Sequence, residues 1–180
     1  MPKHYNVLFL CTGNSARSIM AEALLNAKGK PTFTAFSAGS HPSGKIRPEA
    51  LNQLQIAHIP TEGLRSKSWD ELALPGAPEL DFVITVCDNA ANEVCPIFQG
   101  PTSAALARTG EDARASTPIK AHWGVPDPAA VQGSDQEIER AFRNAFASLD
   151  RRISLLLRLP LGSIDTLALK KQLDQIGREP

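Results

Sequence analysis

The chain has 180 residues, with 19 basic and 19 acidic side chains that give a formal net charge of zero. This length suits one domain with a substantial core, which we expect to span residues 1–180. The balanced charge and the lack of a basic run argue against a nucleic-acid partner. The apolar runs are too short for a membrane span, and the N-terminus lacks a signal-peptide pattern.

Strand and helix patterns alternate along the chain. The apolar run 7–10 is typical of a buried strand of a parallel sheet, and Ile19, Ala23 and Ala27 form one helical stripe that Gly29 closes. The predicted elements are strand 5–10, helix 18–28, strand 32–37, helix 47–57, short helix 68–72, strand 80–87, strand 119–123, helix 136–159 and helix 164–176. This order predicts an α/β fold: a doubly wound, mainly parallel four-stranded sheet with helices on both faces.

Residues 100–116 depart from this alternation. They are small and polar and have no apolar stripe, so we interpret them as a surface insertion. The ligand site of such a sheet lies at the carboxyl ends of its strands. Cys11 and Cys87 both fall at such an end, which predicts a shared site.

The segment 11–18 joins the first strand to the first helix. Backbone N–H groups of a tight loop and a helix N-terminus bind oxyanions. The planar guanidinium group of Arg17 can donate to two oxygens of a tetrahedral anion at once. Cys11 would lie below that anion as a thiolate, ready to attack phosphorus or a chemical relative of it. The alternative is a buried structural cysteine before an ordinary helix. The predicted oxyanion-binding residues are Thr12, Gly13, Asn14, Ser15, Ala16, Arg17 and Ser18.

The other two cysteines, Cys87 and Cys95, lie about two helical turns apart, too far to bond across a rigid helix. A segment that melts or bends would let them form a relay, in which Cys87 attacks a group held on Cys11 and Cys95 then attacks Cys87. The alternative is two unrelated thiols. The odd number of cysteines, without disulfide-framework spacing, indicates reduced thiols in the cytoplasm.

Asp127 lies between two prolines, which restrict its backbone and direct its carboxylate. It is a candidate proton donor to a leaving oxygen, with a solvated turn aspartate as the alternative. Asn14, Glu22 and Ser37 are candidates to support the loop from behind, although Glu22 also suits a solvated helix face. The four histidines have no metal-ligand spacing, so we predict no catalytic metal.

The segment 11–18 resembles the C-x5-R loop of the low-molecular-weight tyrosine phosphatases and of the arsenate reductases built on the same fold. Segments 37–42, 64–69, 87–96 and 122–127 resemble the arsenate reductase branch. The resemblance covers nearly the whole chain except the insertion at 100–116.

The resemblance implies arsenate reduction by a cysteine relay, for arsenic detoxification. Cys11 would attack arsenate, with Arg17 and the loop amides binding its oxygens; Cys87 would then attack Cys11 and release arsenite. Cys95 would resolve the Cys11–Cys87 disulfide, and thioredoxin or glutaredoxin with glutathione would restore the thiols. Asp127 matches the acid/base of the family. The resemblance implies a monomer without a tightly bound cofactor.

Two details differ between members of the family. The positions of Asn14, Glu22 and Ser37 shape the loop and hold a potassium ion in some members. Lys67 lies near a cation-binding carboxylate of those members, which suggests that its ammonium group replaces potassium. The gap between Cys87 and Cys95 is one residue longer than in the best-known thioredoxin-coupled pattern.

Two other functions compete with arsenate reduction. Cys11, Arg17 and Asp127 suffice for a phosphotyrosine or other phosphomonoester phosphatase, but Ala129 and Ala130 follow Pro128 where that branch has an aromatic pair. A non-catalytic oxyanion or redox sensor is the third possibility, although it would not need the complete nucleophile, arginine and aspartate set.

Overall fold

The computed structural model describes residues 3–100 and 117–180, so the insertion predicted at 100–116 lies outside the described residues apart from Gly100. Four parallel strands form one sheet in the order β2-β1-β3-β4. The strands are β1 (Tyr5–Cys11), β2 (Phe33–Gly39), β3 (Phe82–Thr85) and β4 (Ile119–His122).

Five α-helices accompany the sheet in the described residues: α1 (Arg17–Lys28), α2 (Pro48–Ile56), α3 (Asp88–Asn92), α4 (Asp135–Leu156) and α5 (Thr166–Arg178). Two short 3-10 helices, Trp69–Leu72 and Pro128–Ala130, lie in the connections. Ser134 and Glu137 form a reciprocal capping box that sets the start of α4, and the Asp165 side chain caps α5.

The sheet separates two apolar clusters because successive strand residues point to opposite faces. Val7 and Phe9 of β1 belong to the larger cluster, which also contains buried residues of α1, α2, α4 and α5. Leu8 and Leu10 belong to the smaller one, which is covered by the 3-10 helix Trp69–Leu72 and by loop residue Phe98. The predicted α/β fold with a four-stranded parallel sheet and accompanying helices is confirmed. Among the described helices, α1, α2, α4 and α5 pack on the larger cluster, and the helix on the other face is the 3-10 helix Trp69–Leu72.

The third strand is shorter than the predicted span 80–87. Before it, the Leu80 N–H donates to the Gln99 carbonyl at 2.7 Å instead of to a neighbouring strand. After it, Cys87 caps α3, and its sulfur accepts a hydrogen bond from the Ala90 N–H at 3.4 Å. A capping residue has left the strand, so Cys87 begins the next helix and does not end the sheet.

Over the described ranges, every helix falls short of the length or the hydropathy that spanning a membrane requires. Strand β1 ends at Cys11, and Cys87 follows β3, its neighbour in the sheet. The two cysteines are therefore at the same edge of the sheet, at the carboxyl ends of parallel strands.

Candidate active site

Asn14 gives the loop after β1 its shape. Its φ of +44° lies in the left-handed region, which asparagine tolerates better than most residues. Its buried amide donates to the hydroxyls of Ser18 (2.9 Å) and Ser37 (3.0 Å), and its oxygen accepts the Lys67 N–H at 2.8 Å. One side chain thus joins the loop, helix α1, strand β2 and the segment 64–69.

The loop turns its carbonyl groups outward. The oxygens of Thr12, Gly13 and Ser15 accept hydrogen bonds of 2.8–3.0 Å from backbone N–H groups in the segment 41–47. Within the described part of the chain, the N–H groups of residues 13–17 have no hydrogen-bond acceptor. Free amides next to the N-terminus of α1 form a cradle for a tetrahedral oxyanion.

Gly39, at the end of β2, lets the loop lie close to the sheet. A Cβ atom there would be 2.4 Å from the Thr12 carbonyl oxygen and 3.0 Å from the Asn14 backbone nitrogen. Ser66 supports the same loop by donating its hydroxyl to the Gly13 carbonyl at 3.3 Å. The segments around Gly39 and Ser66 therefore hold the cradle from two sides.

A buried chain of polar groups continues behind Asn14. The Ser37 hydroxyl donates to the Glu22 carboxylate, and the Lys67 ammonium lies 3.8 Å from the same carboxylate. Burial raises the pKa of Glu22, against the opposing effects of Lys67 and Ser37. Burial lowers the pKa of Lys67, and Glu22 opposes that shift. The predicted support residues Asn14, Glu22 and Ser37 thus lie in one network, together with Lys67.

Arg17 connects the cradle to the loop after β4. One of its terminal nitrogens, Nη1, donates to the Val125 carbonyl at 2.9 Å, and the other lies 3.3 Å from the Asp127 carboxylate. The Arg17 side chain is 12% exposed, whereas that of Asp127 is 43% exposed. Asp127 also accepts the Ala129 N–H at 3.1 Å, so its carboxylate is held at the rim of the site.

Cys11 and Cys87 lie near each other below the cradle, where the Thr12 hydroxyl is 3.6 Å from the Cys87 sulfur. The interaction with Cys11 is the main cause that lowers the pKa of Cys87 to about 5; burial opposes it, and the Ala90 N–H adds to it. The interaction with Cys87 and burial raise the pKa of Cys11, whereas Arg17 and the Thr12 N–H lower it.

Two thiols this close titrate as a pair, so the acidic pKa belongs to both sulfurs together. The pair therefore favours one negative charge at neutral pH. Arg17 lowers the pKa of Cys11, whereas the Ala90 N–H and the Thr12 hydroxyl lower the pKa of Cys87, and the Thr12 N–H lowers both. When the charge lies on Cys11, beside Arg17, Cys11 can act as the nucleophile while the neighbouring Cys87 holds the shared proton.

Cys95 is not brought to the other two cysteines. All three are free thiols, but Cys87 belongs to the larger apolar cluster, whereas Cys95 packs against the smaller cluster on the opposite face of the sheet. Helix α3 ends at Asn92, and Glu93 is already extended. A Cys87–Cys95 bond therefore requires the segment 88–94 to rearrange.

Glu93 is a neighbour of the site that the sequence did not indicate. Its carboxylate accepts a hydrogen bond from the Thr12 hydroxyl at 3.4 Å. Ser66 was missed as well, although it lies within the 64–69 segment. A single polar residue in a loop belongs to no periodic sequence pattern, so only its contact in the folded protein identifies it as a neighbour of the site.

Within residues 3–100 and 117–180, no three His, Cys, Asp or Glu side chains converge in a way that could hold a metal ion. The polar groups of the site instead suit an oxyanion, since they combine free amides, an arginine and a thiolate. Nucleophilic attack on a bound tetrahedral oxyanion is the chemistry that this arrangement supports.

The profile of the low molecular weight phosphotyrosine protein phosphatase family matches residues 6–173. The chain belongs to this family. The match includes the cradle, all three cysteines and Asp127. Members of the family whose functions are named divide between phosphatases and arsenate reductases, as the following relatives show.

A protein of Halalkalibacterium halodurans named arsenate reductase is 32% identical over 147 residues, which cover 82% of this chain and 91% of that protein. The crystal structure of an arsenate reductase from Archaeoglobus fulgidus is 26% identical, with a TM-score of 0.58, over 84% of this chain and 98% of that one. A low molecular weight protein tyrosine phosphatase from T. tengcongensis is 25% identical, with a TM-score of 0.56, over 86% and 99%.

Proposed function

We propose that this protein is an arsenate reductase that uses a cysteine relay. The observation that carries the proposal is the proximity of Cys87 to Cys11 below the oxyanion cradle, at the carboxyl ends of two paired strands. A phosphatase needs one nucleophilic thiol, whereas a reductase needs a second thiol within reach of the first. The relatives named arsenate reductase support the same choice.

The first step is attack of the Cys11 thiolate on arsenic. Arg17 and the amides of residues 13–17 bind the arsenate oxygens and stabilise the charge that develops on them. One oxygen leaves as water, for which Asp127 supplies a proton from the rim of the cradle. The product is a covalent bond between the Cys11 sulfur and arsenic, which is still As(V).

The second step transfers two electrons to arsenic. Cys87, close to Cys11, attacks the Cys11 sulfur as a thiolate, and its proton passes to the departing arsenite. The sulfur–arsenic bond breaks, and its electron pair stays on arsenic, which leaves as arsenite, As(III). The two sulfurs are oxidised to a Cys11–Cys87 disulfide, so the electrons balance.

The third step regenerates Cys11. The Cys95 thiolate attacks the Cys87 sulfur, Cys11 leaves as a thiolate, and a Cys87–Cys95 disulfide remains. An external thiol reductant, thioredoxin or glutaredoxin with glutathione, then supplies two electrons per turnover. We propose that the protein works as a cytoplasmic monomer, that residues 1–180 form one domain, and that Lys67 takes the place of a potassium ion beside Glu22.

Phosphomonoester hydrolysis is the second candidate function. Arg17 lies 3.3 Å from Asp127, which places an oxyanion-binding group beside a proton donor without any part played by Cys87. Arsenate and phosphate have the same shape and similar charge, so both would bind the same cradle. We therefore expect weak hydrolysis of aryl phosphates, with arsenate as a competitor.

A single-turnover thiol map tests the reductase. Fully reduced protein is mixed with arsenate without external reductant, remaining thiols are alkylated, and the peptides are identified by mass spectrometry. We expect a Cys87–Cys95 disulfide that requires arsenate. Cys87→Ser should stop arsenate reduction and leave aryl phosphate hydrolysis. Three free thiols after incubation with arsenate, together with aryl phosphate turnover, would favour the phosphatase instead.

A further inference from the structure

His122, the last residue of β4, holds the start of α3. Its Nε2 lies 2.9 Å from the Asp88 carboxylate, and its Nδ1 lies 2.7 Å from the Thr85 hydroxyl. A carboxylate oxygen only accepts, so Nε2–H is the donor to Asp88, and Nδ1 can accept from the Thr85 hydroxyl, whose other acceptor is the Ala121 carbonyl at the longer distance of 3.5 Å. Asp88 is the residue that directly follows Cys87 and forms the first position of α3.

The His122 side of this contact is firmly anchored. The Trp123 N–H donates to the Thr85 carbonyl at 2.7 Å, and the buried Trp123 indole donates to the Leu173 carbonyl of α5 at 2.9 Å. A Cβ on Gly177 would be 2.2 Å from the His122 carbonyl oxygen, so α5 lies directly against this residue. His122 therefore offers a fixed point at the edge of the sheet.

The Asp88 side is weakly held. Helix α3 has only five residues, too few to be stable without outside contacts. Its Asp88 side chain is 85% exposed and that of His122 is 41% exposed. An ion pair or hydrogen bond at such exposure contributes little to stability. The contact can thus hold α3 and still open at low cost.

Gly124 supports the same contact. A Cβ atom at Gly124 would be 2.8 Å from His122 Nε2 and 2.9 Å from the Asp88 carboxylate oxygen. Any side chain at this position would thus push into the hydrogen bond between His122 and Asp88. The backbone after β4 is shaped to leave room for that bond.

We propose that His122 is a positioning residue that keeps Cys87 near Cys11 through Asp88. Breaking the hydrogen bond between His122 and Asp88 then lets Cys87 move within reach of Cys95. The proposal rests on the cysteine relay proposed above. The contact favours the step in which Cys87 attacks the Cys11 adduct, because that step needs α3 in place. It opposes the step in which Cys95 attacks Cys87, because that step needs the segment 88–94 to rearrange.

Two substitutions at one position test this inference. In His122→Asn the side-chain amide can take the place of Nδ1 beside Thr85, but no atom remains to reach Asp88. In His122→Gln the amide reaches the place of Nε2 and can still donate to Asp88. His58→Asn is the matched control, since His58 is exposed and has a φ of +56°, which asparagine tolerates.

The two steps are measured separately by rapid quenching and mass spectrometry after addition of arsenate. In a Cys95→Ser background, we expect His122→Asn to slow formation of the Cys11–Cys87 disulfide about threefold to fivefold. With all three cysteines present, we expect it to speed the conversion to Cys87–Cys95 by a similar factor. His122→Gln and His58→Asn should stay near wild type, and unchanged aryl phosphate hydrolysis reports an intact cradle.

Opposite effects on the two steps are the signature of positioning, because a general loss of structure would slow both. An effect on one step only, effects in the same direction, or an equal loss in His122→Gln would overturn the inference. If the wild-type protein forms no disulfide with arsenate, the cysteine relay itself is wrong. If the wild type forms it and His122→Asn is unchanged, only the role of His122 is wrong.

Discussion

At the scale of single residues, the site combines one negative charge with one largely buried arginine. The interaction between Cys11 and Cys87 lets the pair lose a proton easily, and Arg17 favours the thiolate on Cys11. This arrangement separates two roles that a lone cysteine cannot fill together. In the proposed relay, Cys11 attacks the oxyanion, and the thiol that attacks next already lies near it.

Cys11→Ser should abolish both arsenate reduction and aryl phosphate hydrolysis, by at least about a thousandfold. A serine hydroxyl is not ionised at neutral pH, so both reactions lose their nucleophile. Steady-state assays of both activities measure the effect, with bound phosphate as a check that the cradle is intact. Residual turnover of either substrate would remove Cys11 from that reaction.

The shared charge predicts a pH dependence of thiol alkylation. Only the thiolate reacts, so the combined alkylation rate of Cys11 and Cys87 should stay high at neutral pH and fall as the pH drops through about 5. Burial raises the pKa of Cys95, so the alkylation rate of Cys95 should begin to fall at alkaline pH, well above the pH at which the pair loses reactivity. Peptide mapping after timed iodoacetamide pulses separates these rates. A midpoint of the pair near the ordinary value of 9.0 would contradict the assignment.

At the scale of elements, the cradle depends on segments that come from distant parts of the chain. Three segments bind the loop from outside: the end of β2, residues 41–47 and residues 64–69. These bonds occupy the loop carbonyls and leave its amides for the ligand. The loop is therefore preorganised before the oxyanion arrives, which favours binding.

Gly39→Ala should weaken phosphate binding about tenfold or more and destabilise the protein. The added methyl group would stand 2.4 Å from the Thr12 carbonyl oxygen, so the loop or β2 must move. Calorimetric titration with phosphate and urea unfolding measure the two effects. Gly162→Ala is the control, since a Cβ there meets no atom within 4 Å. Equal phosphate affinity in both variants would contradict this account.

Lys67→Met should lower the free energy of unfolding by about 2 kcal/mol, because it leaves the buried Glu22 carboxylate without its cation. If Lys67 replaces potassium, the loss should be smaller in potassium chloride than in sodium chloride. Urea unfolding in the two salts gives the comparison, with the exposed Lys45→Met as control. An identical loss in both salts would count against the replacement of potassium by Lys67.

At the scale of the whole molecule, the edge of the sheet is joined to the C-terminal helix. The Trp123 ring is fully buried, packs 6.1 Å from the Phe9 ring and donates to the Leu173 carbonyl of α5. Strand β4 leads directly into the loop that carries Asp127. The position of Asp127, the proposed proton donor, thus depends on the packing of α5, far away in the chain.

Trp123→Phe should lower the free energy of unfolding by about 2 kcal/mol, because it leaves a cavity and an unpaired Leu173 carbonyl. Trp69→Phe, at a half-buried position, should cost less than about 1 kcal/mol. Both values come from urea unfolding followed by circular dichroism. Equal costs would mean that the contact between Trp123 and α5 contributes nothing beyond ordinary side-chain burial.

The sequence by itself determined the parallel α/β fold and the oxyanion loop. Strand alternation, helical periodicity and the transition from strand to helix at 11–18 are local patterns, and local patterns reflect local backbone preferences. The rule that parallel strands bring their carboxyl ends to one edge was enough to place Cys11 and Cys87 near each other. The end of the third strand was misjudged because a capping cysteine and a strand cysteine look alike in sequence.

Only the tertiary structure decided which distant groups touch. It put Cys95 on the other face of the sheet from Cys87, turned the Lys67 amide toward Asn14 and its ammonium toward Glu22, and joined His122 to Asp88. These contacts join residues on different elements through single side chains, and no periodic pattern encodes them. They depend on how the elements pack, which is why the loop at 11–18 could be predicted from the sequence and the groups that surround it could not.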